Sequence, residues 1–140
     1  MRKMIRDHLV PAVKEVFPNL AFKISPTSNP IISLSSSLAE IGDLQIYDDG
    51  DQASVIITGI THADFGVYDE NLNTEEKEQI ITEDVISFLV TLFSDRVVLY
   101  RTSSKGMGGW TVIEQGAKDI EFVAGREYFV WSGPITPPKA

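Results

Sequence analysis

Apolar residues recur at three- and four-residue spacing near the start of the chain. Ile5, Leu9, Ala12, Val13, Val16 and Phe17 make one stripe, which predicts an amphipathic helix over residues 2–17. Pro11 falls inside it and lacks the N–H that would bond back to Asp7, so a kink or a late helix start is expected. Pro18 and Asn19 mark the stop. Short apolar runs at 20–25, 31–36, 41–47 and 53–60 then read as strands, the first two separated by a Pro/Ser/Asn turn cluster. The last two flank Asp48-Asp49-Gly50-Asp51, and Asp-Gly between apolar runs predicts a hairpin with a type I′ turn. Val55, Ile56 and Ile57 are apolar in succession, which predicts a strand covered on both faces.

Residues 61–73 read as a loop. Asn73 followed by Glu76 has capping-box form, and Ile81, Val85, Phe88, Leu89 and Leu92 carry a helical period to about Phe93. Beyond it come a strand at 96–102, a glycine-rich turn at 103–109 and a strand at 110–115. A final hairpin at 120–123 and 127–131 turns at Ala124-Gly125-Arg126. Strands occur in runs rather than alternating with helices. The pattern therefore predicts an α+β fold: a mainly antiparallel sheet of about five to seven strands with two helices on one face. A chain of 140 residues is about one domain. That domain is expected over 1–133, with a flexible Pro-rich tail at 134–140.

Composition narrows the function classes. The absence of cysteine excludes disulfides, thiolate metal sites and cysteine nucleophiles, and fits a reducing, cytoplasmic location. Arg6, Asp7 and His8 interrupt any signal-peptide core, and no apolar run approaches membrane-spanning length. The net charge of −8 is unevenly placed: residues 40–84 hold thirteen Asp/Glu against the single Lys77, whereas residues 1–23 hold five Lys/Arg against two acids. The middle third would repel a nucleic-acid backbone and steer a cationic partner towards itself.

No constellation makes an enzyme case, and no cofactor motif is present. His62 and Asp64, two apart, would suit a metal or a proton-transfer pair, with Asp69 and Glu70 as further oxygen donors, or would simply be a hydrogen-bonded loop pair. Asp48, Asp49 and Asp51 do not match a calcium-loop pattern and read as a solvated turn. Lys105-Gly106-Met107-Gly108-Gly109 is followed by a β-patterned segment rather than a helix, so it reads as a turn, not a phosphate loop. Trp110 beside it is either a contact anchor or a core residue. The serines lack a nucleophile elbow. Arg96 and Arg101, five apart on one strand, should face opposite ways.

The acid-rich third is the distinctive feature. Its charges fall in a hairpin turn, a loop and a helix start, which would form one negative face if they share an edge; the alternative is that they confer solubility and cap a helix. The reading is a non-enzymatic binding module that engages a basic protein partner through Asp48, Asp49, Asp51, Asp69, Glu70, Glu75 and Glu76. In size, acidity and coarse layout the chain resembles immunity proteins that neutralise bacterial toxins and type III secretion chaperones. The former resemblance implies an acidic face that blocks a cationic toxin site; the latter implies a closing helix, whereas the final segments here read as strands and prolines, which counts against it. The alternative reading is a small-ligand or metal site at His62, Asp64 and Trp110. A third class, an oligomerisation module, would present as a homodimer.

Overall fold

A computed structural model describes residues 5–25, 27–102, 108–114 and 120–135. The elements are α1 (Ile5–Val16), β1 (Lys23–Ile24), β2 (Ile32–Ser35), β3 (Asp43–Asp48), β4 (Gln52–Ile57), β5 (Thr61–Gly66), α2 (Thr74–Phe93), β6 (Val97–Thr102), β7 (Gly108–Val112), β8 (Arg126–Val130) and β9 (Gly133–Ile135). The α+β class and the antiparallel pairing are as the sequence predicts. The strands divide between two sheets, a five-stranded meander β1-β2-β3-β4-β5 and a four-stranded sheet ordered β7-β6-β8-β9.

Both helices cover one face of the meander. Ile5, Leu9 and Val13 of α1 and Ile81, Val85, Leu89 and Leu92 of α2 meet Ile32, Leu44, Ile46, Ala53, Val55, Ile57 and Ala63 in one buried cluster. Alternate residues of each strand point into it, as strand pleating requires. Along the helices, His8 lies beside Glu78 near both starts and the Phe17 ring packs edge-on against Phe93 near both ends. The two helices therefore run side by side in the same direction, with both N-termini at the β3–β4 turn. The second sheet is apolar on both faces: Val97 and Leu99 join the main core, while Val98 and Tyr128 meet Ile113, Ile120 and Phe122 on the other side.

Several expectations are revised. Residues 61–66 form β5 instead of opening a loop; Ala63 and Phe65 turn inward while His62 and Asp64 turn outward. β4 is flanked by β3 and β5, yet the helices cover only one of its faces, and Ile56 is half-buried on the other. The three-residue apolar run buried on both faces is Val97-Val98-Leu99. The β3–β4 connection is not type I′, because Gly50 takes positive φ and Asp49 does not; Asp49 N bonds Gln52 O at 2.9 Å. Residues 120–123 form no strand, and β8 pairs instead with β6 and β9. Pairing continues past the expected boundary at Gly133 to Ile135, and Pro134 is tolerated because β9 is an edge strand. Residues 2–4 of the first predicted helix, the serine-glycine run at 103–107, Gln115 and the tail from 136 lie outside the described residues.

The two sheets meet where β5 faces β7. Trp110 Nε1 donates to His62 O at 3.3 Å, and the Phe65, Phe88 and Trp110 rings pack edge-on in series at 5.6 and 4.9 Å. Arg101 ties the second sheet to the loops of the first. Its Nη1 donates to Glu40 O at 2.9 Å and Gly59 O at 3.3 Å, its Nε lies 3.4 Å from Glu127 Oε1, and its guanidinium covers the Phe129 ring. Gly59 is required at that loop, since a Cβ would meet the backbone oxygen of Glu40.

Candidate functional site: an acidic cleft at the helix starts

Three segments that are far apart in sequence converge at the end of the molecule where both helices begin. The β3–β4 turn contributes Gly50 and Asp51, the segment after β5 contributes Val67, Tyr68 and Glu70, and the first turns of α2 contribute Thr74, Lys77, Glu78 and Ile81. Between them lies an open cleft of about 630 Å³. Hairpin turn, loop and helix start thus share one edge, the condition on which a single acidic face depended.

Each wall is held by its own local chemistry. Asn73 Oδ1 accepts from Glu76 N at 2.8 Å and Glu76 Oε1 accepts from Asn73 N at 3.1 Å, a complete capping box that fixes where α2 starts. Asp69 Oδ1 accepts from Asn71 N at 2.9 Å, tightening the approach to that start. Tyr68 is 77% exposed on the rim, with its hydroxyl 3.5 Å from Gln52 Oε1. Its ring folds back over Gly66, where a Cβ would crowd the hydroxyl. Glu78 is buried, and its Oε1 lies 3.9 Å from His8 Nε2 on α1.

The seven acids named from the sequence divide by what their carboxylates do. Asp48 is buried. Its Oδ2 accepts from Arg6 N at 3.1 Å and its Oδ1 from Gly50 N at 2.9 Å, so it caps α1 from the hairpin. Asn29 grips the same residue's backbone, accepting from Asp48 N and donating to Asp48 O. Asp49 Oδ2 accepts from Ser54 Oγ at 2.8 Å. With Asp69 and Glu76, four of the seven are engaged in local bonds. Asp51, Glu70 and Glu75 are exposed and make no hydrogen bond or ion pair among the described residues. Asp51 and Glu70 line the cleft and Glu75 sits on the adjoining first turn of α2.

The alternative site is assembled differently. His62 and Asp64 lie on the outer face of β5, with Nε2 and Oδ2 3.6 Å apart and both side chains exposed. Trp110 does not join them as a ligand wall; its ring is packed on Phe88 and only its N–H reaches the His62 carbonyl. Among the described residues no three His, Asp or Glu side chains are placed to share a metal ion.

Tyr68, Lys77 and Glu78 were not singled out from the sequence. Glu78 carries a legible signal: it precedes Ile81 by three residues and Val85 by seven, which puts a carboxylate on the core stripe of α2. No known protein family matches the chain, and no curated protein or solved structure matches it significantly. No helix among the described residues is long and apolar enough to cross a membrane.

Proposed function

We propose that the protein is a non-enzymatic binding module whose acidic cleft engages a basic segment of a protein partner. The observation that carries this reading is the convergence of the exposed, unengaged Asp51 and Glu70 on a concave site beside the exposed Tyr68, with Glu75 on the adjoining first turn of α2. A lysine or arginine side chain suits such a site. Its aliphatic stem packs on Val67 and Tyr68, its charge meets the carboxylates, and an aromatic face adds cation–π attraction. Lys77 on the same wall opposes this charge, so selectivity comes from where the carboxylates stand rather than from net charge alone. The module is of the kind that immunity proteins and secretion chaperones exemplify, acting by occupying a cationic surface.

The test is the binding of a labelled octalysine peptide to the wild type and to the combined Asp51→Asn, Glu70→Gln, Glu75→Gln variant. Three partly screened charge pairs contribute about 1.5 kcal/mol together, so affinity at low salt falls about tenfold. Association slows and its salt dependence flattens. Identical kinetics for the two proteins would refute the reading.

A further inference from the structure

The meander ends on an open edge. β5 pairs with β4 alone, and it is the longest edge strand among the described residues. Backbone alternation fixes which of its groups face outward. Thr58 N donates to Asp43 O and Asp49 N to Gln52 O, so the even-numbered residues of β4 bond β3. The odd-numbered ones, Ala53, Val55 and Ile57, then bond Phe65, Ala63 and Thr61. The N–H and C=O groups of His62, Asp64 and Gly66 are left pointing away from the sheet. The His62 carbonyl is taken, since it accepts from Trp110 Nε1 at 3.3 Å. Those of Asp64 and Gly66 have no partner among the described residues. Native edges are commonly blunted by shortness or proline. β1 has two residues and β9 carries Pro134, whereas β5 has neither device.

Beside that edge, on the face that carries the helices, an open notch of about 310 Å³ lies between α2 and β7. The Phe65, Phe88 and Trp110 rings and the exposed Val112 line it, and Asp84 stands on its α2 side. A strand laid along β5 alternates its side chains between the two faces. The residue opposite Asp64 lies on the outer face beside that half-exposed carboxylate, and its neighbours in sequence point into the notch. Charge complementarity names the occupant. A cation suits the position opposite Asp64, Asp84 adds to the same preference, and the flanking positions call for aliphatic side chains. A second copy of this chain is a poor fit, because facing β5 edges would bring like carboxylates together on chains of net charge −8. We infer that the open edge of β5 takes up an extended segment of a partner protein, in which Lys or Arg alternates with aliphatic residues, as an added strand. This surface is separate from the acidic cleft and does not depend on it.

The probe is a capped seven-residue peptide of alternating lysine and valine, and amide exchange in the full chain is followed by NMR with and without it. Exchange at Asp64 and Gly66 is expected to slow at least about tenfold at saturating peptide, while Ala63 and Phe65, already bonded to β4, keep their rates. Replacing the valines by glycine weakens binding about tenfold or more, the cost of leaving the notch empty. Asp64→Asn weakens it about two- to fivefold. Asp64→Pro, which removes an outward N–H at an edge position, weakens it further, with circular dichroism confirming that both variants fold. The combined Asp51→Asn, Glu70→Gln, Glu75→Gln variant retains the protection at Asp64 and Gly66, which separates the edge from the cleft. Loss of protection in that variant, no added protection in the wild type, or equal binding of the glycine peptide would overturn the inference. Protection already present without peptide would overturn it too: if it fades on dilution a second copy holds the edge, and if it does not the chain covers its own edge.

Discussion

Asp48→Ala is the substitution whose cost follows most directly from the geometry. The carboxylate is buried and accepts two backbone N–H groups, Arg6 N at 3.1 Å and Gly50 N at 2.9 Å. Alanine leaves both donors without that acceptor. Losing an N-terminal cap costs about 0.5–2 kcal/mol, and the Gly50 bond adds about 1 kcal/mol, giving a total of about 2.5 kcal/mol. A chain of 140 residues unfolds with an entropy of about 0.3 kcal/mol/K, so the melting midpoint falls by about 8 °C. Asp48→Asn, which keeps one acceptor oxygen, falls between. Thermal unfolding followed by circular dichroism gives the midpoint, and hydrogen exchange at the Arg6 and Gly50 amides shows whether the damage starts there. An alanine variant melting within about 2 °C of the wild type would refute the reasoning, since water would then satisfy both N–H groups as well as the carboxylate does.

Arg101→Lys removes a planar fork that donates to Glu40 O and Gly59 O while lying over Phe129; a single ammonium cannot reproduce that set, so the urea midpoint falls by an amount equivalent to about 1–2 kcal/mol. An unchanged midpoint would mean that the sheets hold together without this tie. His62→Ala breaks only an exposed pair at 3.6 Å and changes stability by less than about 0.5 kcal/mol. With it goes the expectation that zinc or calcium leaves the wild-type melting temperature where it is; a metal-dependent rise abolished by His62→Ala would install the metal-site reading in place of that of a simple surface pair.

What the chain reveals of itself depends on how local the deciding interaction is. The start of α2 is legible because Asn73 and Glu76 make their bonds to each other within one turn, and the period from Ile81 to Leu92 agrees with them. β5 is obscured because Thr-His-Ala-Asp-Phe-Gly mixes poor strand formers with an alternation carried by two side chains, Ala63 and Phe65. The consecutive apolar runs of β4 and β6 look alike in sequence. Only the second gains a cover on both faces, because residues 120–122 return to lie against Val98. The division into two sheets rests on β8 choosing β6, a long-range pairing that no local signal announces. Of the cleft, the clustering of acids was readable. Which of them turn inward was not: Asp48 and Asp51 are three residues apart in the same turn, and the fate of Asp48 is decided by the helix start at Arg6.

The parallel course of α1 and α2 makes the backbone itself a charged participant at that end of the molecule. Each helix start contributes roughly half a positive charge through its aligned peptide groups, so about one full positive charge is fixed there that no residue tally includes. Asp48 and Glu76 sit directly on it and are largely answered before any partner arrives. The surplus of acids in residues 40–84 therefore overstates the field outside the protein. Solubility and electrophoretic mobility follow the whole surplus, whereas recognition follows the small part left unanswered. Substitutions that leave the formal charge unchanged, such as exchanging Asp51 with a neutral neighbour, weaken binding about two- to threefold without altering how the protein migrates.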